Sequence, residues 1–539
     1  MKMCQVNGKR MRREKTIEIM DTTLRDGEQT SGVSFLPSEK LQIAKLLLEE
    51  LKVDRIEVAS ARVSEGELEG VKRITNWAEE KGYLNSIEVL GFVDTPKSVD
   101  WMVEAGAKVM NLLTKGSLNH LTHQLKKTPE VHFAEIEKCI AYANQHDIEV
   151  NVYLEDWSNG MRNSRDYAMS MIHFLSQQPI KRIMLPDTLG LLCPDEVKEF
   201  MEFICTQFPD IHFDFHAHND YDLSVANVLN AVTTGAKGIH TTVNGLGERA
   251  GNAPLESIVA VIKDFTSFHL NVNENKIFRI SKLIEQFSGL RIPANKPVVG
   301  ENVFTQTAGV HADGDNKKNL YFSDLLPERF GRTRKYALGK TSGKANISKN
   351  LEELGISLEP EELTKVTQKI IELGDKKERV TTEDLPYIIS DVLQNNSIQK
   401  DIVIDGYHMV HSKGLKPSVQ LRMKIFSNYY EQNASGDGQY DSFMKALKKI
   451  YKGLDMELPK LTDFQISIPP GGKTDAFVEC VITWDLSGRI FKTKGLDSDQ
   501  TIAAMKATEK MLNIIEQIKN SNKTEKKNPY GNEYSPITW

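Results

Sequence analysis

The sequence predicts a (β/α)8 barrel followed by helical linker segments and a C-terminal α+β module. Three observations carry that expectation. Eight short runs rich in β-branched residues alternate with helical segments between residues 16 and 245. The runs are near-continuously apolar, as parallel strands buried on both faces are, and polar clusters recur at their C-terminal ends, where barrels of about 250 residues carry their chemistry. A doubly wound sheet is the alternative reading of the same alternation.

Taken in order, the expected strands are "TIEIMD" (16–21), "RIEVAS" (55–60), "IEVLGF" (87–92), "KVMNLL" (108–113), "EVNVYL" (149–154), "RIMLPD" (182–187), "HFDFHAH" (212–218) and "GIHTTVNG" (238–245). Between the first two lies "SEKLQIAKLLLEEL" (38–51), whose apolar residues recur at helical spacing behind Ser38, a candidate N-cap. Beyond the barrel, 330–356 and 360–393 read as charged helices. Residues 400 to 520 contain a repeat with an offset of 61 residues: Gln439 matches Gln500, and Met444-Lys445-Ala446 matches Met505-Lys506-Ala507. The expected organisation is a basic extension (1–15), the barrel (16–290), a linker region covering the barrel mouth (291–399), the duplicated module (400–520) and a polar tail (521–539).

Composition narrows the function class. The 539 residues carry 68 Lys+Arg against 74 Asp+Glu, a net charge of −6, so there is no basic excess of the kind a nucleic-acid or anionic-membrane partner selects. Five scattered cysteines (Cys4, Cys139, Cys193, Cys205, Cys480) form no C-x-x-C pair, which argues against a disulfide framework or a thiolate zinc site. The basic start lacks the apolar core of a signal peptide, and no run approaches the ~18 apolar residues of a membrane span. A cytoplasmic enzyme is the expectation.

"FHAHND" ends the seventh strand with His216 and His218 two apart, a spacing that turns both imidazoles to one side. Asp26, in "DTTLRDGEQT" at the end of the first strand, is the matching carboxylate, and strands one and seven stand only two apart around a closed barrel. Two histidines and one carboxylate leave room for substrate on Zn2+, Mn2+ or Fe2+. Asn252, in "GERAGNAP", is a candidate fourth ligand through its amide oxygen, or a turn residue.

"DTTLRDGEQT", "HAHND", "NGLGERAGNAPLE" and "TQTAGVHADG" together resemble the acetyl-CoA-dependent 2-oxo-acid condensing enzymes: 2-isopropylmalate, homocitrate and (R)-citramalate synthases. The resemblance runs from about residue 16 to about 515. It implies a homodimeric barrel using a divalent metal (Zn, Mn or Mg) and acetyl-CoA as co-substrate. Coenzyme A lyases share the barrel and metal triad but usually carry a cysteine in the loop after strand eight, and "GLGERAGNAP" has none.

On that resemblance Arg25 donates to the reacting carbonyl oxygen as charge develops there, and Thr188 contacts the substrate carboxylate, with a helix N-cap as its plain structural alternative. Glu155 and His311 are the proton-handling candidates. Asp313, Asn319, Leu320 and Tyr321 match acetyl-CoA-contacting positions, a polar turn around Gly314 being the alternative. Leu90, Leu113 and Tyr153 match the positions that accommodate the acid's side chain. Three bulky groups there favour pyruvate over 2-oxoisovalerate, so a citramalate synthase of the isoleucine route is expected first and 2-isopropylmalate synthase, of the leucine route, second. Homocitrate synthase is third, since none of the three could hold a distal carboxylate. The repeat resembles the family's regulatory domain and implies an amino-acid effector. From other classes, a non-haem iron oxygenase would use the same three ligands, and a metabolite sensor would keep the repeat without the active-site residues.

Overall fold

The computed structural model describes residues 15–316, 320–354, 356–375, 380–393, 401–467 and 478–525. They divide between two compact units, one spanning 1–306 and 317–335, the other 307–316 and 336–539.

The first unit is a closed parallel barrel of eight strands in sequence order: β1 (Glu18–Asp21), β2 (Arg55–Ser60), β3 (Ile87–Phe92), β4 (Val109–Lys115), β5 (Glu149–Glu155), β6 (Ile183–Asp187), β7 (Phe213–Ala217) and β8 (Gly238–Thr241). Closure comes from β1 against β8, with Glu18 opposite Gly238 and Asp21 opposite Thr241. All eight expected runs are strands. The last is shorter than its sequence suggests, because Val243–Gly245 turns as a 3-10 segment with Asn244 in the left-handed region at φ 61.

The helix after β1 begins at Pro37 rather than behind Ser38. Pro37 occupies the first turn, where its missing N–H costs nothing, and the side chain of Glu39 accepts from Leu36 N at 2.9 Å. The helix passes into a π-turn over Leu46–Leu51 and stops at Lys52, left-handed at φ 63. Ile43, Leu47, Leu48 and Leu51 are buried against the barrel, each contributing ~1.5–3 kcal/mol.

In the second unit, helices Lys344–Glu353, Pro360–Asp375 and Leu385–Leu393 share a small core of Ile347, Leu351, Val366, Ile370 and Leu385. The expected helix over 330–356 is therefore confined to 344–353. Gly331, left-handed at φ 66, and the glycines at 339 and 343 keep the preceding stretch out of helix.

The C-terminal residues form two β-β-β-α repeats. The first has antiparallel strands Ile402–Val410, Ser418–Ile425 and Asn428–Ser435 with helix Gln439–Gly453. The second has Lys460–Ser467, Val478–Leu486 and Arg489–Asp497 with helix Gln500–Glu525. Period-two burial in Ser418–Ile425 turns Val419, Leu421, Met423 and Ile425 into a core that both repeats share. The helix starts touch: Thr501 Oγ1 donates to Gln439 Oε1 at 3.0 Å. None of the described helices is long and apolar enough to cross a membrane.

Candidate active site

β1 delivers its polar end by a tight turn. The backbone N–H groups of Arg25, Asp26 and Gly27 all donate to Thr22 O, at 3.2, 2.9 and 3.1 Å. Lys40, itself buried, clamps this turn from outside: its Nζ lies 3.3 Å from Leu24 O, 2.7 Å from Glu28 and 2.5 Å from Glu67. Within the barrel, Arg25 Nε donates to Glu57 Oε2 at 2.6 Å. Glu57 also accepts from Thr22 Oγ1 and Asn111 Nδ2, each at 2.8 Å. Burial would lower the pKa of Arg25, but Glu57 and Asp26 outweigh it and raise it.

Asp26, His216 and His218 are all buried, and their ligand atoms lie within 4.8 Å of one another. His216 Nε2 is 3.3 Å and His218 Nε2 4.0 Å from Asp26 Oδ2. Burial alone would raise the pKa of Asp26; Arg25 and His216 pull it well below the usual carboxylate range. Burial, with His216 nearby, takes His218 down to about 4. An ionised carboxylate beside a neutral imidazole is the donor chemistry a divalent ion requires.

The fourth candidate ligand is placed by glycines. His218 falls just past β7 and forms an isolated antiparallel bridge with Asn252. The loop that brings Asn252 there depends on Gly251, at φ 85, where a Cβ would stand 2.0 Å from Gly245 O. Asn252 Nδ2 donates to Leu246 O at 3.1 Å. That leaves Asn252 Oδ1 buried with no hydrogen-bond partner, as are Asp26 Oδ1, His216 Nδ1 and His218 Nδ1. Buried polar atoms are seldom left this way unless something else satisfies them, and these residues fit a divalent cation.

Leu90 and Tyr153 form an apolar cluster with Met20 and Met184, and Leu113 packs on it. It adjoins the polar residues: Arg25 Cζ is 5.9 Å from the Tyr153 ring centroid, and the same ring meets His216 edge-on at 6.2 Å. The two methionines are absent from the sequence reading. Their signal was strand position, since each occupies an inward site of its strand.

Glu155, last in β5, is ion-paired with Lys115, last in β4 and directly opposite it. Lys115 was not anticipated. Thr188 Oγ1 accepts from Asp156 N at 2.9 Å. It caps no helix, because the next one, Pro194–Gln207, follows Cys193. Asp156, left-handed at φ 63, accepts from Ser117 Oγ at 2.7 Å and Asn159 Nδ2 at 2.8 Å, which ties together the loops after β4 and β5.

His311 and Asp313 lie on helix Gly309–Asn316 of the second unit, so the segment around Gly314 is helical rather than a polar turn. Leu320 and Tyr321 belong to the first unit and are exposed, at 68% and 42%. Asn319 lies outside the described residues.

Three family models match successive parts of the chain. The HMGL-like family model matches residues 16–284, the homocitrate synthase post-HMGL domain-like model residues 298–378, and the LeuA allosteric (dimerisation) domain model residues 379–516. (R)-Citramalate synthase CimA of Methanocaldococcus jannaschii is 33% identical, covering 93% of this chain and 99% of that protein. 2-Isopropylmalate synthase of the same organism is 32% identical over 93% of this chain and 94% of its own. The enzyme of that name from Pyrococcus furiosus is also 32% identical, over 93% and 99%.

Proposed function

The chain belongs to the family of citramalate and 2-isopropylmalate synthases, and on that premise we propose that it condenses acetyl-CoA with pyruvate and water to give (R)-citramalate and CoA. The observation that carries the choice of acid is the cluster of Leu90, Leu113, Tyr153, Met20 and Met184 beside Arg25 and His216. Five bulky groups crowd the place where the acid's side chain would sit and suit a methyl.

The reaction forms a bond between the acetyl methyl carbon and the 2-oxo carbon. The methyl loses a proton, the ketone oxygen becomes an alkoxide and then a hydroxyl, and water cleaves the thioester. A divalent ion held by Asp26, His216 and His218, with Asn252 as a further oxygen donor, would supply Lewis acidity toward a bound carbonyl. Arg25, aimed by Glu57, donates to the oxygen on which negative charge grows. Thr188 serves the substrate carboxylate. Glu155, held at the barrel mouth by Lys115, and His311 handle protons. Asp313, Asn319, Leu320 and Tyr321 take part in acetyl-CoA binding.

The protein acts as a homodimer in the cytoplasm, with a catalytic barrel, a linker region and a C-terminal duplicated domain that receives isoleucine as feedback effector. The second reading, 2-isopropylmalate synthesis under leucine control, is favoured by relatives of that name at nearly the same identity. A thiol-release assay with acetyl-CoA across a panel of 2-oxo acids separates the two. Highest kcat/KM with pyruvate is expected; a preference for 2-oxoisovalerate would replace the first reading by the second.

A further inference from the structure

We infer that His240 is a positioning residue for substrate selection: by holding the Tyr153 hydroxyl across the barrel, it fixes the wall of the acid's side-chain pocket. The inference rests on the condensing-enzyme reading above and assigns a source to its selectivity.

Tyr153 projects from β5 into the barrel interior and is almost wholly buried. A buried phenol needs a partner for its hydroxyl, and the partner is His240 Nδ1 on β8, at 3.0 Å. The other ring nitrogen, Nε2, faces Asp214 Oδ2 at 3.1 Å. Asp214 Oδ2 also accepts from Arg55 NH2 at 2.7 Å, and a carboxylate paired with a guanidinium only accepts. Nε2 therefore carries the hydrogen. In the neutral ring Nδ1 is left with its lone pair, and the Tyr153 hydroxyl donates to it.

The chain of contacts continues to a firm anchor. Arg55 NH2 donates to Asp214 Oδ2 at 2.7 Å and Arg55 NH1 to Glu88 Oε1 at 2.8 Å, so Glu88, Arg55, Asp214, His240 and Tyr153 form one line from β3 through β2 and β7 to β8 and β5. His240 and Asp214 are completely buried. One consequence is steric: the ring is tethered at its far end, so it cannot swing away to admit a branched side chain. The other is chemical. With its hydroxyl committed to His240, Tyr153 shows the cluster of Leu90, Leu113, Met20 and Met184 only ring carbon.

The test uses full-length enzyme loaded with its divalent ion, and kcat/KM for pyruvate, 2-oxobutyrate and 2-oxoisovalerate in His240→Leu, His240→Asn, Tyr153→Phe and the Tyr153→Phe/His240→Leu double variant. His240→Leu should raise the ratio of 2-oxoisovalerate to pyruvate use on the order of tenfold, chiefly through a higher KM for pyruvate. His240→Asn, whose amide oxygen can replace Nδ1 as acceptor, should restore most of the selectivity. In the Tyr153→Phe background the His240→Leu change should leave the ratio unaltered, because the bond it removes is already gone. A fall in kcat equal for all three acids, with the ratio unmoved, would reduce His240 to a structural role and overturn the inference. Should wild-type enzyme release CoA with none of the acids, the condensing reading fails on its own. The tether is then read from histidine side-chain 15N shifts, where a bare Nδ1 and protonated Nε2 on His240 support it and a protonated Nδ1 refutes it.

Discussion

Arg25 and Glu57 meet at 2.6 Å, guanidinium Nε to carboxylate Oε2, and this bond spends one edge of the guanidinium on β2. NH1 is left 3.4 Å from Asp26 Oδ2, toward the cluster of Asp26, His216 and His218. Arg25→Lys keeps the charge but loses the planar fork that can serve both acids at once. Turnover should fall on the order of 10²-fold, by analogy with removing one oxyanion donor, while metal content stays at the wild-type level. Steady-state kinetics beside metal analysis of the same preparation checks this; wild-type turnover would assign Arg25 to structure alone.

His216→Ala or His218→Ala should abolish condensation, since each removes one of three charged or imidazole ligands from a buried site. Asn252→Ala should weaken the ion's hold without destroying it. Chelation followed by titration with Zn2+, Mn2+ or Mg2+ should remove and restore activity. Full turnover in thoroughly demetallated protein would contradict the assignment.

Leu90→Ala opens the apolar cluster, and the ratio of 2-oxoisovalerate to pyruvate use should rise by the ~1–3 kcal/mol that about one methylene is worth in such a pocket. Competition between the two acids in one reaction gives the ratio directly. An unchanged ratio would mean that the acid's side chain lies elsewhere.

Lys40→Met should cost roughly 3–5 kcal/mol of stability, because it removes one partner of a largely buried ion pair and leaves Glu28 and Glu67 facing each other unneutralised. The denaturation midpoint of the barrel reports it. A midpoint equal to wild type would show that water replaces the ammonium at no cost.

Removing residues 400–539 should leave the metal site intact and abolish inhibition by isoleucine, or by leucine if the second substrate reading holds, with the lost coupling in the ~1–3 kcal/mol range typical of allostery. Initial rates against both amino acids, for full-length and truncated enzyme, decide it. Equal inhibition of the two forms would move the effector site to the barrel.

The barrel was legible because strands buried on both faces write themselves as apolar runs, and the convergence of Asp26, His216 and His218 because two histidines at strand spacing and a carboxylate at a strand end are rare company. Glu57, Lys115 and His240 were not legible. Each is a lone polar residue inside or at the end of a strand, and sequence alternation says that neighbours face opposite ways without saying which way is inward. Their partners Glu155 and Tyr153 sit on another strand and Arg25 in the turn after one, so only the closed barrel reveals the pairs. Ser38 failed as a helix cap for a local reason: Pro37 had already committed its φ to the first turn.

The closure of β1 against β8 bears on how such a site comes into being. Asp26 leaves the ribosome long before His216 and His218, and the loop that carries Asn252 comes later still. Until β7 and β8 have joined the sheet, the early carboxylate has no imidazole to share an ion with. On the proposed ligand set the early strands and helices therefore assemble through apolar contacts between neighbours, and the closure of β1 on β8 meets its loop entropy last. A chain that stops before residue 216 has the carboxylate but neither imidazole, so on the proposed ligand set capture of an ion requires β7 in place, and the loop carrying Asn252 then strengthens the hold.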